Sequence, residues 1–171
     1  VACGLDGAIG KDNQLVWRNK EDLKHFRETT TGHHVVMGRK TWESMDCKVL
    51  PKRGNIVISS TLKNKFQLFD NTTHNDYLSF IDLKTFMDNP LGAEEASKGR
   101  TDNEHLFVIG GSQLYEYFLK NNLIDEIILT QIQQKFPDAD SHIDLKFIED
   151  NFDIRHIIEH EGFDIVTLFK R

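Results

Sequence analysis

The chain has 171 residues, 39% of them hydrophobic and 28% charged, with a formal net charge of -6. That size and balance suit one soluble globular domain over residues 1–171, and the acidic surplus argues against a protein that coats nucleic acid or an anionic membrane. No apolar run approaches a membrane span and no signal peptide is expected; the two cysteines, Cys3 and Cys47, form no close-spaced metal or redox motif, so a cytoplasmic setting with free thiols and no metal is the simplest account.

Val1 to Leu5 reads as a strand entered without an initiator methionine, so a few residues are expected to precede it. Asp6-Gly7 marks a turn, and Ile9 to Asn13 continues as a loop running into Trp17. From Leu15 to Thr30 the pattern is a short helix capped by Asn19, with Leu23 and Phe26 forming an inward stripe. Asp22 is the odd residue. It shares a face with Phe26 at i and i+4, so a first-turn carboxylate points into the space of an aromatic ring. It either complements the helix dipole from a solvated edge or stands at the rim of an apolar pocket, gripping a cationic or amidine-like ligand.

His33 to Met37 is a short strand, with His33 and His34 expected at its surface or edge. Gly38 then turns the chain into a helix beginning Arg39-Lys40-Thr41, whose free amides and cations suit a phosphate, unless this is simply a basic first turn. Residues 46 to 54 form a loop that brings Leu50-Pro51 close to Arg53, and Asn55 to Ser60 is a strand ending in hydroxyls. Phe66 to Phe69 is a strand candidate, Tyr77 to Met87 a helix candidate, and residues 88 to 104 a polar surface excursion. Leu106 to Ile109, Gly110-Gly111 and Ser112 to Leu119 have the form of strand, tight turn and helix. A glycine pair there serves either a purely structural turn or the close approach of a dinucleotide phosphate. Glu126 to Ile132 is a strand, a polar loop runs through His142, and Phe152 to Ile158 with Phe163 to Phe169 reads as an antiparallel hairpin.

Taken in order, these stretches closely resemble bacterial dihydrofolate reductase over essentially the whole chain. The resemblance rests on Ile9-Gly10 with Leu15-Val16-Trp17, on Glu21 to Phe26, on Val36 to Ser44, and on Leu50 to Asn55. Val108 to Tyr115, Leu129-Thr130 and Asp140-Ser141-His142 complete it. It implies an α/β, single-domain dihydrofolate reductase-like fold with a twisted, mostly parallel central sheet, an antiparallel C-terminal edge and flanking helices. It also implies hydride transfer from NADPH to the pterin of 7,8-dihydrofolate in a monomer that binds antifolate-type small molecules.

By the same resemblance Asp22 orients the pterin and favours its protonation, with Trp17 and Thr130 holding water and hydrogen bonds around the carboxylate. Ala2, Phe26, Met45, Leu50, Arg53 and Ile109 match substrate positions, Arg53 taking the terminal carboxylate; Ile9 and Met37 match the inner pocket. The cofactor positions are Ile9, Leu15, Gly38, Arg39, Lys40, Thr41, Ser59, Ser60, Gly110, Gly111, Ser112, Gln113, Leu114 and Tyr115, the two glycines joined by a cis peptide.

The chain departs from the pattern where Lys20 stands in place of a common proline and Gln113 in place of a common arginine, which removes one phosphate partner. The segments 46–48 and 88–104 are longer than usual. Another nicotinamide-dependent pterin or pyrimidine reductase would keep the glycine junctions but lose the joint presence of Asp22, Phe26 and Arg53. A non-catalytic pterin- or nucleotide-binding relative would keep the pocket without turnover, and a purely structural domain would leave Asp22 unexplained.

Overall fold

A computed structural model of the chain describes residues 1–62, 65–68, 77–89 and 105–171. In chain order the first elements are β1 (Ala2–Cys3), β2 (Ala8–Lys11), β3 (Gln14–Leu15), α1 (Lys20–Thr30), β4 (His34–Gly38), α2 (Arg39–Ser44) and β5 (Gly54–Ile58). There follow β6 (Lys65–Leu68), β7 (Tyr77–Ile81), α3 (Leu83–Asp88), β8 (Leu106–Val108), α4 (Ser112–Lys120) and β9 (Glu126–Ile132). The chain ends with β10 (Ser141–His142), α5 (Leu145–Asn151), β11 (Phe152–His160) and β12 (Phe163–Lys170). It divides into two compact units, Val1–Leu23 with Gly110–Arg171, and Lys24–Ile109.

In the first unit β1, β9, β12 and β11 lie in that order in a four-stranded sheet, with β1 parallel to β9 and the other pairs antiparallel. Alternation along β12 sends Val166 and Leu168 to one face, where Cys3, Leu129, Leu119 of α4 and Ile148 of α5 close over them. The C-terminal hairpin turns at Glu161-Gly162, with Gly162 at φ +83°, which glycine adopts at little steric cost. Its outer strand β11 shifts register between Ile154 and His156. A small second sheet joins β10, β2 and β3. The expected loop at Ile9 to Asn13 is instead mostly the β2–β3 hairpin, because Asp12 and Asn13 both take positive φ, 48° and 60°, and close a tight turn.

The second unit holds a five-stranded sheet in the order β6, β7, β5, β4, β8, parallel throughout except for the β6 edge. Val35, Met37 and Val57 are fully buried there against Trp42, each worth roughly 1.5–3 kcal/mol of apolar burial. Residues 77–81 form strand β7, not the first half of a helix. The helix starts later at α3, where the Asp82 carboxylate caps it by accepting from the Thr85 amide at 2.9 Å. His34 is a second correction: it is buried, and its Nδ1 meets the Tyr77 hydroxyl at 3.1 Å over Gly54. Helix α5 follows no expected element; Asp144 caps it through the Phe147 amide at 2.9 Å. Most of the expected polar excursion, from residue 90 to 104, and the strand residue Phe69 lie outside the described residues.

Candidate active site

Helix α1 begins where Asn19 Oδ1 accepts from the amides of Glu21 at 2.8 Å and Asp22 at 3.2 Å. That cap fixes the turn that carries the carboxylate. Leu23, expected on an inward stripe, is 46% exposed, while Asp22 and Phe26 are half-buried. The helix therefore turns a mixed face, one carboxylate and one ring, away from full burial.

In the first unit the hydroxyl of Thr130, itself buried on β9, donates to Asp22 Oδ1 at 2.6 Å. The distance is at the short end of the range for a hydroxyl hydrogen bond. Thr130 is held from both sides: it is in register with Ala2 on β1 and with Ile165 on β12. Trp17 sits in the loop before α1, its ring meeting Phe163 edge-on at 5.2 Å. Ile9 on β2 is buried, whereas Leu15 on β3 of the same hairpin is exposed. The hairpin is tied down where the Asp12 amide donates to Asp140 Oδ2 at 2.9 Å and the Asp140 amide donates to the Gly10 carbonyl at 3.1 Å. Neither carboxylate contact is visible in the chain's local pattern.

In the second unit Arg53 is buried, its Nε donating to the Pro51 carbonyl at 3.0 Å and Nη1 to the Thr30 hydroxyl at 2.9 Å. The guanidinium carbon lies 5.9 Å from the centre of the Phe26 ring. Asn55, fully buried, holds the same loop three times. Its Oδ1 accepts from the Leu50 amide at 2.9 Å, and its Nδ2 donates to the carbonyls of Leu50 at 2.9 Å and Arg53 at 2.8 Å. A lone amide inside the apolar run Asn55 to Ile58 is the sequence signal for it. Met45, Leu50 and Ile109 pack on the cluster around Met37 and Trp42.

The residues expected to hold a dinucleotide fall at strand ends. Gly38 closes β4 and caps α2 and Ser59 follows β5, on the edge where parallel strands finish and ligands commonly bind; Ile109, expected at the substrate, follows β8 on that same edge. Arg39 pairs with Glu43 at 2.7 Å. Ser60 is exposed, whereas Ser59 is buried, its hydroxyl taking the amides of Thr61 at 3.3 Å and Leu62 at 3.0 Å. In the first unit the Gly110–Gly111 peptide is cis and Gly111 caps α4. Neither Gly38 nor Gly111 supplies a side chain to the amides of the helix it starts, so both helices offer those donors to an outside anion. Taken singly, each such set of amides suits a phosphate group. Beyond Ser112 and Gln113, α4 turns inward: Leu114 is buried, Tyr115 packs on the unit's core, and burial pushes its phenol upward. Among the described residues no group of three or more His, Cys, Asp or Glu could hold a metal ion, and no helix is long and apolar enough to cross a membrane.

The family model described as dihydrofolate reductase matches residues 1–162. The chain belongs to the dihydrofolate reductase family. It is 39% identical over 133 residues to dihydrofolate reductase of Haemophilus influenzae, covering 78% of this chain and 69% of that protein. Against dihydrofolate reductase of Bacillus subtilis the figure is 36% over 144 residues, or 84% and 72%. The bifunctional dihydrofolate reductase-thymidylate synthase of Paramecium tetraurelia is 37% identical over 134 residues, 77% of this chain; the match spans 25% of that longer protein. Similarity to a ciliate protein and to one from Candida albicans means that the resemblance extends beyond bacteria to the dihydrofolate reductase family at large.

Proposed function

We propose that the chain reduces 7,8-dihydrofolate to 5,6,7,8-tetrahydrofolate with NADPH, working as a cytoplasmic monomer of one domain that also accepts antifolate-type molecules. The observation that carries this reading is the 2.6 Å hydrogen bond from Thr130 to Asp22, which leaves a half-buried carboxylate oriented by a strand rather than by solvent. NADPH, when bound, supplies the hydride. The amides at the starts of α2 and α4, with Arg39, Lys40, Thr41, Ser60, Ser112 and Gln113, hold its phosphates.

Asp22 accepts hydrogen bonds from the 2-amino group and neighbouring ring nitrogen of the pterin. Its negative charge favours the protonated ring, and an iminium carbon takes hydride far more readily than a neutral imine. A carboxylate bound at the 2-amino side does not reach the acceptor end, so water delivers the proton, and Trp17 holds that water. Thr130 keeps the Asp22 carboxylate turned to the ring and hydrogen-bonded. Phe26, Met45, Leu50, Ala2 and Ile109 supply apolar walls. Arg53 takes the substrate's terminal carboxylate, for which a guanidinium is suited by its paired donors. Alignment and exclusion of water are the protein's contribution to the rate.

The test follows NADPH absorbance with dihydrofolate, beside NADH and an Asp22→Asn variant. Rapid NADPH-dependent oxidation, strongly suppressed by the substitution at neutral pH and partly recovered at low pH, is the expected result. A folded protein that binds dihydrofolate without turning it over would instead be a pterin-binding relative.

A further inference from the structure

Trp17 occupies a stretch without helix or strand, between β3 and α1, so no ladder of backbone hydrogen bonds sets the direction of its ring. What meets the ring is Phe163, 1% exposed at the start of β12, edge-on at 5.2 Å and 63°. Behind Phe163 lies His160. The two are Cα partners in the last pair before the hairpin turn, so their side chains leave the sheet on the same face. Their rings stack at 4.5 Å with an interplanar angle of 5°. His160 has a second contact: its Nδ1 lies 3.5 Å from Glu21 Oε2, on the first turn of α1 and next in sequence to Asp22. One side chain at the tip of the C-terminal hairpin thus touches both the ring that backs Trp17 and the turn that carries the carboxylate.

We propose that His160 and Phe163 are positioning residues that hold the Trp17 indole in its working orientation, with the His160 ring acting as a flat backstop to Phe163. The inference rests on the reading that Trp17 serves the reaction at Asp22. A stacked ring holds Phe163 in the plane that meets the indole at 63°; without it one face of Phe163 loses its support and the indole's wall loosens. Planarity is what this role demands, and the charge of the imidazole is secondary, so another flat ring should substitute where a flexible polar chain should not.

The experiment compares His160→Gln with His160→Phe, checking by circular dichroism that both fold. Trp42→Phe serves as background, so that indole emission reports Trp17 alone, the chain having two tryptophans. In His160→Gln the emission anisotropy of Trp17 falls and kcat for dihydrofolate drops by up to about tenfold, the equivalent of one aromatic pair, while KM for NADPH holds. His160→Phe restores both. Unchanged anisotropy in His160→Gln overturns the proposal, as does an equal loss of kcat in His160→Phe. A Trp17→Phe variant separates the two levels. If it turns over like wild type, the role given to Trp17 fails; if it is slow while His160→Gln keeps wild-type kcat, the orientation held by His160 is not a working one and the proposal is overturned. The anisotropy measurement decides the bracing even in a protein without turnover.

Discussion

Thr130 on β9 and Asp22 on α1 stand 108 residues apart in the chain and share one hydrogen bond of 2.6 Å, donated by the hydroxyl. Thr130→Val keeps the shape and removes the donor, leaving a half-buried carboxylate short of one partner. A hydrogen bond to a charged group is worth about 1.5–3 kcal/mol, so kcat/KM for dihydrofolate should fall by about ten- to a hundredfold. Thr130→Ser should stay within a few-fold of wild type. Steady-state assays of the pair check both.

Asn55→Ala should be costly twice over. It strips the Leu50 amide, the Leu50 carbonyl and the Arg53 carbonyl of partners inside the fold, a loss of about 3 kcal/mol or more visible in urea unfolding. The loop it frees carries Arg53, so KM should rise for dihydrofolate and change little for a dihydropterin without the glutamate tail.

Gly54→Ala should destabilise by about 1–3 kcal/mol, as overpacking does. A methyl group there would sit 2.4 Å from His34 Nδ1 and 2.6 Å from Tyr77 Cε1, inside contact distance of both. Tyr77→Phe removes just the hydroxyl that meets His34 and should cost about 1 kcal/mol. Thermal melts of the two variants order these effects.

Cys3 makes stability depend on alkaline pH. Burial pushes its thiol from 9.0 up to about 11, so between those values the unfolded chain has lost a proton that the folded one keeps. Its contribution is intact below pH 9 and disappears as the pH climbs to 11, at roughly 1.4 kcal/mol per pH unit across that window. Unfolding free energies at several alkaline pH values, with Cys3→Ala as reference, measure it. At neutral pH a thiol reagent should label exposed Cys47 and spare buried Cys3.

The strands at β4, β5, β9 and the C-terminal hairpin are legible in the sequence because each is a continuous or alternating apolar run. β7 is not: Tyr77-Leu78-Ser79-Phe80-Ile81 has too few polar residues to separate a period of two from one of 3.6, and the true helix start, Asp82, looks like part of the same stretch. α5 is seven residues long, and its Asp144 cap reads as loop. Burial of His34 depends on Tyr77, 43 residues away, and the anchoring of Arg53 on Thr30, 23 away, so no local window contains either. Asp22 stands out by its neighbours alone. Thr130, a hydroxyl in an apolar strand, becomes a candidate through the resemblance, which also implies its place beside the carboxylate; no local window around either residue does, since 108 residues separate them.

The pairing of β1 with β9 sets an order of events for a chain made from its N-terminus. Residues Lys24–Ile109 are one uninterrupted stretch and contain the whole five-stranded sheet, so that unit has all its strands once residue 109 has been synthesised. Ala2 and Cys3 must wait for Thr130 and Gln131 before they have a neighbour, and β9 in turn waits for β12. The apolar residues of β1 are therefore covered only after β9 and β12 have been made, long after they themselves leave the ribosome.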